Sequence, residues 1–249
     1  MPTPTPSGHS ARPTSPAAAG QPLLMPIKRR SFFMYAGATA GATALVLAGC
    51  KKDDNTTPTS SNVTFVAGDV GILNYAYALE QLEAAFYAQV VKTPAADFQT
   101  GELAYFTQVA THEAIHRDFF KAAINRDASG QLIQDLTPIF TSIDFTKRAT
   151  VLAAAQAFED TGVQAYNGAG ALIKNAAYLV LAGKIVSVEA RHAAYIRDLL
   201  YPGDPNNFFA GDNQVDPSSG LDKNPLKPSA VVAAIQKYVV QPLDASQLG

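Results

Sequence analysis

Apolar side chains recur with the period of an α-helix along four stretches of the chain between residues 69 and 200. We predict helices from Asp69 to about Val91, from about Asp97 to Asn125, from about Asp144 to Ala169 and from about Asn175 to Leu200. In the first helix the apolar residues, which share one face, fall at positions 72, 73, 76, 79, 82, 86 and 90. Its first residue, Asp69, is a good N-cap. The pattern predicts an all-α protein.

The segments between these stretches indicate how the helices connect. Residues 93–97 contain Pro94, and residues 168–175 contain two glycines and Asn175, so both are turn sequences. Each turn is short, which is typical of a helical hairpin. The segment from Arg126 to Asp144 is too long for a tight turn, and we expect it to be a long crossover between helices two and three. Residues 65–201 are therefore predicted to form a four-helix bundle of two hairpins.

The chain changes character after this bundle. Residues 202–227 are dense in Pro, Gly, Asn and Asp, which predicts an irregular surface loop. Residues 228–249 are predicted to contain a short amphipathic helix, from Ser229 to Val240, that packs on the bundle and is followed by a tail.

The motif Glu-x-x-His occurs twice on the predicted helices. It reads Glu113-Ala-Ile-His116 in the second helix and Glu189-Ala-Arg-His192 in the fourth. Residues i and i+3 lie on the same face of a helix, so the two side chains of each motif can point at one ion.

A single glutamate on each of the other two helices completes the pattern. Glu80 lies 33 residues before the first motif, and Glu159 lies 30 residues before the second. The midpoint of each spacing falls in a turn sequence, as expected if the ligands lie at one level of antiparallel helices. A tyrosine follows each of these glutamates by seven residues, at Tyr87 and Tyr166.

This arrangement predicts a two-metal carboxylate site in the bundle. Carboxylate oxygen and imidazole nitrogen suit iron, manganese or zinc. Four acids on apolar helix faces would repel one another strongly unless cations neutralised them. The predicted ligands are Glu80, Glu113, His116, Glu159, Glu189 and His192.

Four neighbouring residues have two interpretations each. Glu83, one turn after Glu80, is either an additional ligand or a solvated residue at the edge of the site. His112, one turn before His116, is expected to support a ligand or to be exposed. Tyr87 and Tyr166 are either hydrogen-bond donors to ligand carboxylates or ordinary core residues.

The first 64 residues have the composition of an export signal followed by a tether. Residues 1–24 are biased and without periodicity, so they are either a disordered leader or precede the true start at Met25. Residues 25–50 contain the twin-arginine signature Arg29-Arg30 and an apolar stretch that ends in a lipobox-like sequence at Cys50. Residues 51–64 are predicted to be a flexible linker.

Charge and cysteine content narrow the function classes. The formal net charge is −2 and no basic stripe stands out beyond the signal, which argues against nucleic-acid binding. Cys50 is the only cysteine, so an internal disulfide is excluded, and lipidation explains it better than a buried thiol. We expect a protein that is exported by the twin-arginine route and anchored in a membrane through Cys50, at the periplasmic or extracellular face.

The predicted bundle resembles the ferritin-like superfamily, in particular the rubrerythrin and bacterioferritin type of symmetric di-iron site. The stretch Ile72–Tyr87, which contains Ala78-Leu79-Glu80-Gln81-Leu82-Glu83, is similar to the first helix of exported bacterial ferritin-like domain proteins, a group that includes desiccation-related proteins. The resemblance implies that the six residues of the predicted site hold two iron ions, with manganese as an alternative. It also implies chemistry with dioxygen or peroxide.

Two departures limit what the resemblance implies. Rubrerythrin carries a four-cysteine module that a chain with one cysteine lacks, so its electron donor is not identified. A tethered domain with a long loop and an added helix is a poor subunit for a storage cage, although it allows a homodimer. We expect Fe(II) oxidation or reduction of peroxide or dioxygen. The alternatives are a stress-protective lipoprotein whose metal site is only structural, and a di-manganese, catalase-like protein.

Overall fold

Four long helices dominate residues 61–249, the part of the chain described by the computed structural model. They are α1 (Asp69–Lys92), α2 (Glu102–Asp127), α3 (Arg148–Gly170) and α4 (Ala176–Leu200). A short helix, α5 (Pro228–Ile235), follows near the C-terminus and continues as one 3₁₀ turn (Gln236–Tyr238). The predicted all-α four-helix bundle, with its long crossover between α2 and α3 and its short C-terminal helix, is confirmed.

The bundle consists of two hairpins that meet through their first helices. α1 packs along α2, α3 packs along α4, and α1 also contacts α3. Phe86 of α1 and Phe158 of α3 join the hairpins in the core, with their ring centroids 4.8 Å apart. No helix among residues 61–249 is long and apolar enough to cross a membrane.

The first helix, α1, is buried on nearly every face because the crossover covers the side that the other helices leave open. Two buried polar side chains of α1 hold the crossover in place. Asn74 donates to the carbonyl oxygen of Gln131 (2.9 Å) and accepts from the backbone N–H of Ile133 (2.9 Å). Gln81 accepts from the backbone N–H of Leu136 (2.7 Å). These hydrogen bonds satisfy backbone groups that a loop against a core would otherwise leave unpaired.

The predicted start of the second helix at Asp97 is wrong. α2 begins at Glu102, after Gly101, whose φ of 93° ends the preceding turn in a conformation that favours glycine. The carboxylate of Asp97 instead accepts from the backbone N–H of Arg148 (2.7 Å), the first residue of α3. Asp97 therefore binds the N-terminus of α3 and not that of α2.

The predicted start at Asp144 and the predicted N-cap at Asp69 also need correction, whereas the predicted start of the first helix at Asp69 is confirmed. Asp144 accepts from the backbone N–H of Thr146 (3.0 Å) in a local turn, and α3 begins only at Arg148. Asp69 is the first residue of α1 rather than its N-cap, which is Gly68. Its carboxylate accepts from two backbone N–H groups just before α4 (2.9 and 2.8 Å).

Both ends of the described chain differ from prediction. Val63–Thr64 (β1) pairs in parallel with Leu243–Asp244 (β2), so the predicted flexible linker of residues 51–64 is wrong at its end. The predicted helix from Ser229 to Val240 is too long. The α-helix stops at Ile235, and Val239 is extended and forms an antiparallel bridge with Pro138 of the crossover.

Residues 202–227 form turns and one isolated bridge, and they do more than cover the surface. The backbone of Leu226 lies against α3, where its N–H donates to the carbonyl oxygen of Gln164 (3.0 Å). Arg197 of α4, which is 1% exposed, forms an ion pair with Asp160 of α3 and reaches the side chain of Asn213 in this segment (3.3 Å). The segment is thus anchored on the second hairpin.

Candidate metal centre

The six side chains predicted to be metal ligands lie together in the interior of the bundle. Each helix supplies at least one of them, because the i, i+3 spacing of each motif and the buried stripe of α1 and α3 all face the same axis. The four carboxylates are fully buried, and the two imidazoles are nearly so. The residues are Glu80 on α1, Glu113 and His116 on α2, Glu159 on α3, and Glu189 and His192 on α4.

These side chains form two overlapping groups, each able to hold one ion. The first comprises Glu80, Glu113, His116 and Glu189, and the second comprises Glu113, Glu159, Glu189 and His192. In each group the ligand atoms lie within 4.8 Å of one another. Glu113 and Glu189 belong to both groups, which is the placement that carboxylates bridging two cations require.

Each imidazole turns its Nδ1 atom toward three carboxylates. His116 Nδ1 lies 2.8 Å from Glu189 Oε1, 3.1 Å from Glu113 Oε2 and 3.5 Å from Glu80 Oε2. His192 Nδ1 lies 2.9 Å from Glu113 Oε1, 3.4 Å from Glu189 Oε2 and 3.5 Å from Glu159 Oε2. The two halves of the cluster are therefore related by an approximate two-fold axis.

The hydrogen bonding of the cluster fits cations at these two places. Several buried atoms have no hydrogen-bond partner within residues 61–249, although other polar atoms lie close by. They are Glu80 Oε2, Glu113 Oε1, Glu159 Oε2, both carboxylate oxygens of Glu189, and His192 Nδ1. Buried polar atoms are rarely left unpaired, and lone pairs that converge on one volume are what a divalent cation satisfies. Carboxylate and imidazole donors together suit iron or manganese.

Tyr87 and Tyr166 hydrogen-bond the two glutamates that belong to only one group each. Tyr87 on α1 donates its hydroxyl to Glu159 Oε1 on α3 (2.5 Å), and Tyr166 on α3 donates to Glu80 Oε1 on α1. Burial, together with the neighbouring carboxylates, raises the pKa of both phenols well above its ordinary value, so they remain donors. Each bond holds one carboxylate oxygen and leaves the other facing the cluster.

Burial and mutual repulsion distort the pKa values of the cluster in the absence of metal. Burial, reinforced by the charges of Glu189 and Glu113, raises the pKa of Glu80 to about 8, although the nearby His116 imidazole opposes this shift. For both histidines burial lowers the pKa, but the close approach of each Nδ1 to three carboxylates outweighs burial and raises the pKa to about 12. For Glu189 burial is likewise outweighed, here by its two histidine partners, and the pKa falls to about 2. The metal-free cluster thus holds protons that a cation would displace.

Glu83 is buried beside the cluster, so the interpretation of a solvated edge residue is wrong. Its carboxyl belongs to neither ion-holding group, and burial followed by repulsion from Glu189 raises its pKa well above the ordinary value. It faces Gly162 on α3, and a Cβ at that position would crowd it, because the Cβ would lie only 3.1 Å from Glu83 Oε1. Its role as a further ligand stays a prediction.

A cleft connects the cluster with solvent between α2 and α4. It has a volume of about 240 Å³ and is lined by His112, Ile115, His116, Val188, Arg191 and His192. His112 is exposed, and its Nδ1 lies 2.9 Å from the Nε2 of His192. Both imidazoles of the cluster therefore border an open space, while the four carboxylates lie beneath them.

The sequence interpretation missed two contacts that support the site. Arg197 pairs with Asp160, the neighbour of Glu159, and Tyr105 donates its hydroxyl to the backbone carbonyl oxygen of His192 (3.0 Å). No local pattern separates these residues from exposed ones, because each contact joins different helices. Arg29, Arg30 and Cys50 lie outside the described residues.

A comparison with protein families agrees with this geometry. A family model described as a ferritin-like domain matches residues 68–202, a range that contains all four long helices and the whole cluster. No curated protein matches the chain.

Proposed function

The chain belongs to the ferritin-like domain family, and on this premise we propose that it is an exported, membrane-tethered di-iron protein that oxidises Fe(II) or reduces peroxide or dioxygen. The observation that carries the proposal is the buried cluster of unpartnered carboxylate and imidazole atoms, which an open cleft joins to solvent. Its four carboxylates match the charge of two divalent cations.

Each residue of the cluster has a distinct part in this proposal. Glu113 and Glu189 would hold both ions, whereas Glu80 with His116 and Glu159 with His192 would each complete one position. Two iron ions bound there would supply the electrons that reduce peroxide or dioxygen. The four carboxylates are fully buried beneath the two imidazoles that line the cleft, so their charge acts strongly on whatever they hold.

The cleft favours a reactive site over a purely structural one. Metal sites that only stabilise a fold are closed by protein ligands, whereas catalytic sites keep an accessible position. Here the cleft of about 240 Å³ reaches both imidazoles, and it is large enough for several water molecules or for peroxide.

Export is proposed from the sequence alone. Arg29-Arg30 suits the twin-arginine route, and Cys50 ends a lipobox-like segment. Folding and metal binding are coupled, so a protein that folds in the cytoplasm can acquire its metal where metal identity is controlled. Because the twin-arginine route carries folded proteins, the exported protein would keep the metal that it acquired in the cytoplasm.

The metal assignment is tested with a double variant. Glu113→Ala with His116→Ala removes a ligand shared by both positions and an imidazole, so we expect loss of stoichiometric binding of two metals per chain. Asp118→Ala, an exposed acid on the same helix, is the matched control. Metal is measured by elemental analysis of protein purified from the native host. Unchanged metal content in the double variant would contradict the assignment.

The redox proposal needs a separate measurement. The Fe(II)-loaded protein should change its optical spectrum rapidly on addition of peroxide or dioxygen and should recover on addition of a reductant. A protein that retains its two metals but shows no such cycle would favour the structural alternative.

The export proposal is tested in the host. Arg29→Lys with Arg30→Lys should leave a folded, metal-loaded precursor inside the cell, whereas Cys50→Ala should be exported without a lipid anchor. Fractionation followed by mass spectrometry measures both. Normal envelope levels of the double Lys variant would show that the route is different.

A further inference from the structure

The two halves of the cluster are not equivalent at its outer edge. Glu113 and His116 recur 76 positions later as Glu189 and His192. The same offset pairs His112 of α2 with Val188 of α4. An imidazole thus stands on one side of the approximate two-fold axis, and an apolar side chain stands on the other.

His112 forms a direct contact with His192, one of the two imidazoles in the cluster. Its Nδ1 lies 2.9 Å from the Nε2 of His192, the two rings are within 10° of parallel, and their centroids are 5.2 Å apart. Because the nitrogen–nitrogen distance is much shorter than the centroid separation, the two nitrogens lie between the ring centres, as in an aligned hydrogen bond.

His116 lacks the equivalent contact. Its Nδ1 faces the carboxylates, as does that of His192, but its Nε2 has no hydrogen-bond partner within residues 61–249. The side chain of Val188, at the equivalent position on α4, can neither donate nor accept a hydrogen bond. Water in the cleft can satisfy this nitrogen, but it does not hold the ring as a side chain on α2 holds His192.

This difference bears directly on metal affinity. A histidine that binds a metal through Nδ1 carries its proton on Nε2, and that N–H needs an acceptor. The Nδ1 of His112 is such an acceptor for His192. Partners of this kind orient the ring and raise its basicity, and losing one costs ~10-fold to ~100-fold in metal affinity.

We propose that the two metal positions are unequal, and that the one formed by Glu113, Glu159, Glu189 and His192 binds its ion first and more tightly because His112 positions His192. The inference rests on the proposed function, since it concerns the same cluster. His112 acts through His192 and does not itself hold the ion.

The test is an anaerobic titration of the metal-free, full-length protein with Co(II), followed by the visible absorption of the bound ion. The unaltered protein should bind two Co(II) ions in separate steps. His112→Val, which copies the residue at 188, should weaken the first step ~10-fold to ~100-fold and merge it with the second. Val188→His should instead strengthen the second step.

A conservative variant separates positioning from a general structural role. His112→Asn places an amide oxygen near the position of the imidazole Nδ1, so it should keep two separate steps. Because His112 is exposed, the metal-free His112→Val protein should melt at the same temperature as the unaltered protein.

The outcomes distinguish this inference from the proposed function. Two equal steps in the unaltered protein, or two steps that His112→Val leaves unchanged, would overturn the inference and leave the di-metal proposal standing. Failure of the unaltered protein to bind Co(II) at all would overturn both.

Discussion

At the scale of single residues, the two glutamates that belong to only one ion-holding group, Glu80 and Glu159, each turn their two carboxylate oxygens toward different partners. Glu159 accepts from Tyr87 through Oε1 and offers Oε2 to the cluster, and Glu80 does the same with Tyr166. The tyrosine on one hairpin therefore orients the ligand on the other. This crossed arrangement links the geometry of the site to the packing of the hairpins.

Removing one of these donors should affect both stability and metal binding. Tyr87→Phe leaves Glu159 Oε1 buried without a partner, which costs ~1–3 kcal/mol in the free energy of unfolding. It should also weaken metal binding ~10-fold to ~100-fold, because the carboxylate is no longer oriented. Urea denaturation and a metal titration measure the two effects.

Tyr77→Phe is the matched control for this prediction. Tyr77 also lies on α1 and donates its hydroxyl to a carboxylate, Asp135 Oδ1 (3.0 Å), but Asp135 is solvent-exposed and belongs to neither ion-holding group. Its loss should leave metal affinity unchanged. If Tyr77→Phe weakened metal binding as much as Tyr87→Phe does, the effect would not come from the ligand contact.

At the scale of elements, α3 has a glycine at the position where the backbone of the segment after α4 packs against it. The carbonyl oxygen of Leu226 passes so close to Gly168 that a Cβ there would lie 1.9 Å from it. The N–H of Leu226 is bonded one turn earlier, to Gln164, so this backbone is held against α3 and has little freedom to move away. Glycine at 168 is thus required by a neighbour, not by its own conformation.

Two substitutions of helical glycines should therefore change the free energy of unfolding in opposite directions. Gly168→Ala should lower the free energy of unfolding by ~1–3 kcal/mol, because the Leu226 backbone must shift. Gly183→Ala on α4 meets no atom within 4 Å and should raise it by ~0.5–1 kcal/mol through better helix propensity. Equilibrium unfolding in urea measures both. A destabilising effect at 183 equal to that at 168 would contradict the steric explanation.

At the scale of the whole molecule, the cluster makes stability depend on pH and on metal. In the metal-free protein the pKa of Glu80 is raised from 4.5 to about 8, and the pKa values of both histidines are raised from 6.5 to about 12. A group whose pKa is raised by folding stabilises the folded state fully when the pH is below its ordinary pKa. That contribution is lost as the pH rises toward the raised pKa. Glu189, whose pKa is lowered to about 2, contributes steadily above 4.5.

The metal-free protein should accordingly lose stability as the pH rises from about 5 to about 8, because in this range the folded state binds more protons than the unfolded state. Metal binding displaces those protons, so its stabilising effect should grow over the same range. Thermal unfolding of chelator-treated and Fe(II)-loaded protein under anaerobic conditions should show a widening gap in Tm. A gap that is constant with pH would contradict this linkage.

Local patterns in the sequence determined the helices and the ligand set because both depend on short-range geometry. The period of apolar residues is a property of the helix itself, and Glu113 with His116, or Glu189 with His192, share a face whatever surrounds them. The duplicated spacing to the single glutamates of α1 and α3 then predicted which helices form hairpins. Helix starts were less predictable, since Asp97 can cap any nearby backbone N–H and in fact serves α3.

Only the tertiary structure decided which side chains meet across the hairpins. Tyr87 bonds Glu159, 72 residues away, and His112 meets His192, 80 residues away. The burial of Glu83 against α3 is another contact between hairpins. Helical periodicity says which residues share a face, but not which face of another helix lies opposite, because that depends on how the two hairpins cross and pack. The cleft, and the contact through which His112 distinguishes one half of the site from the other, are consequences of that packing.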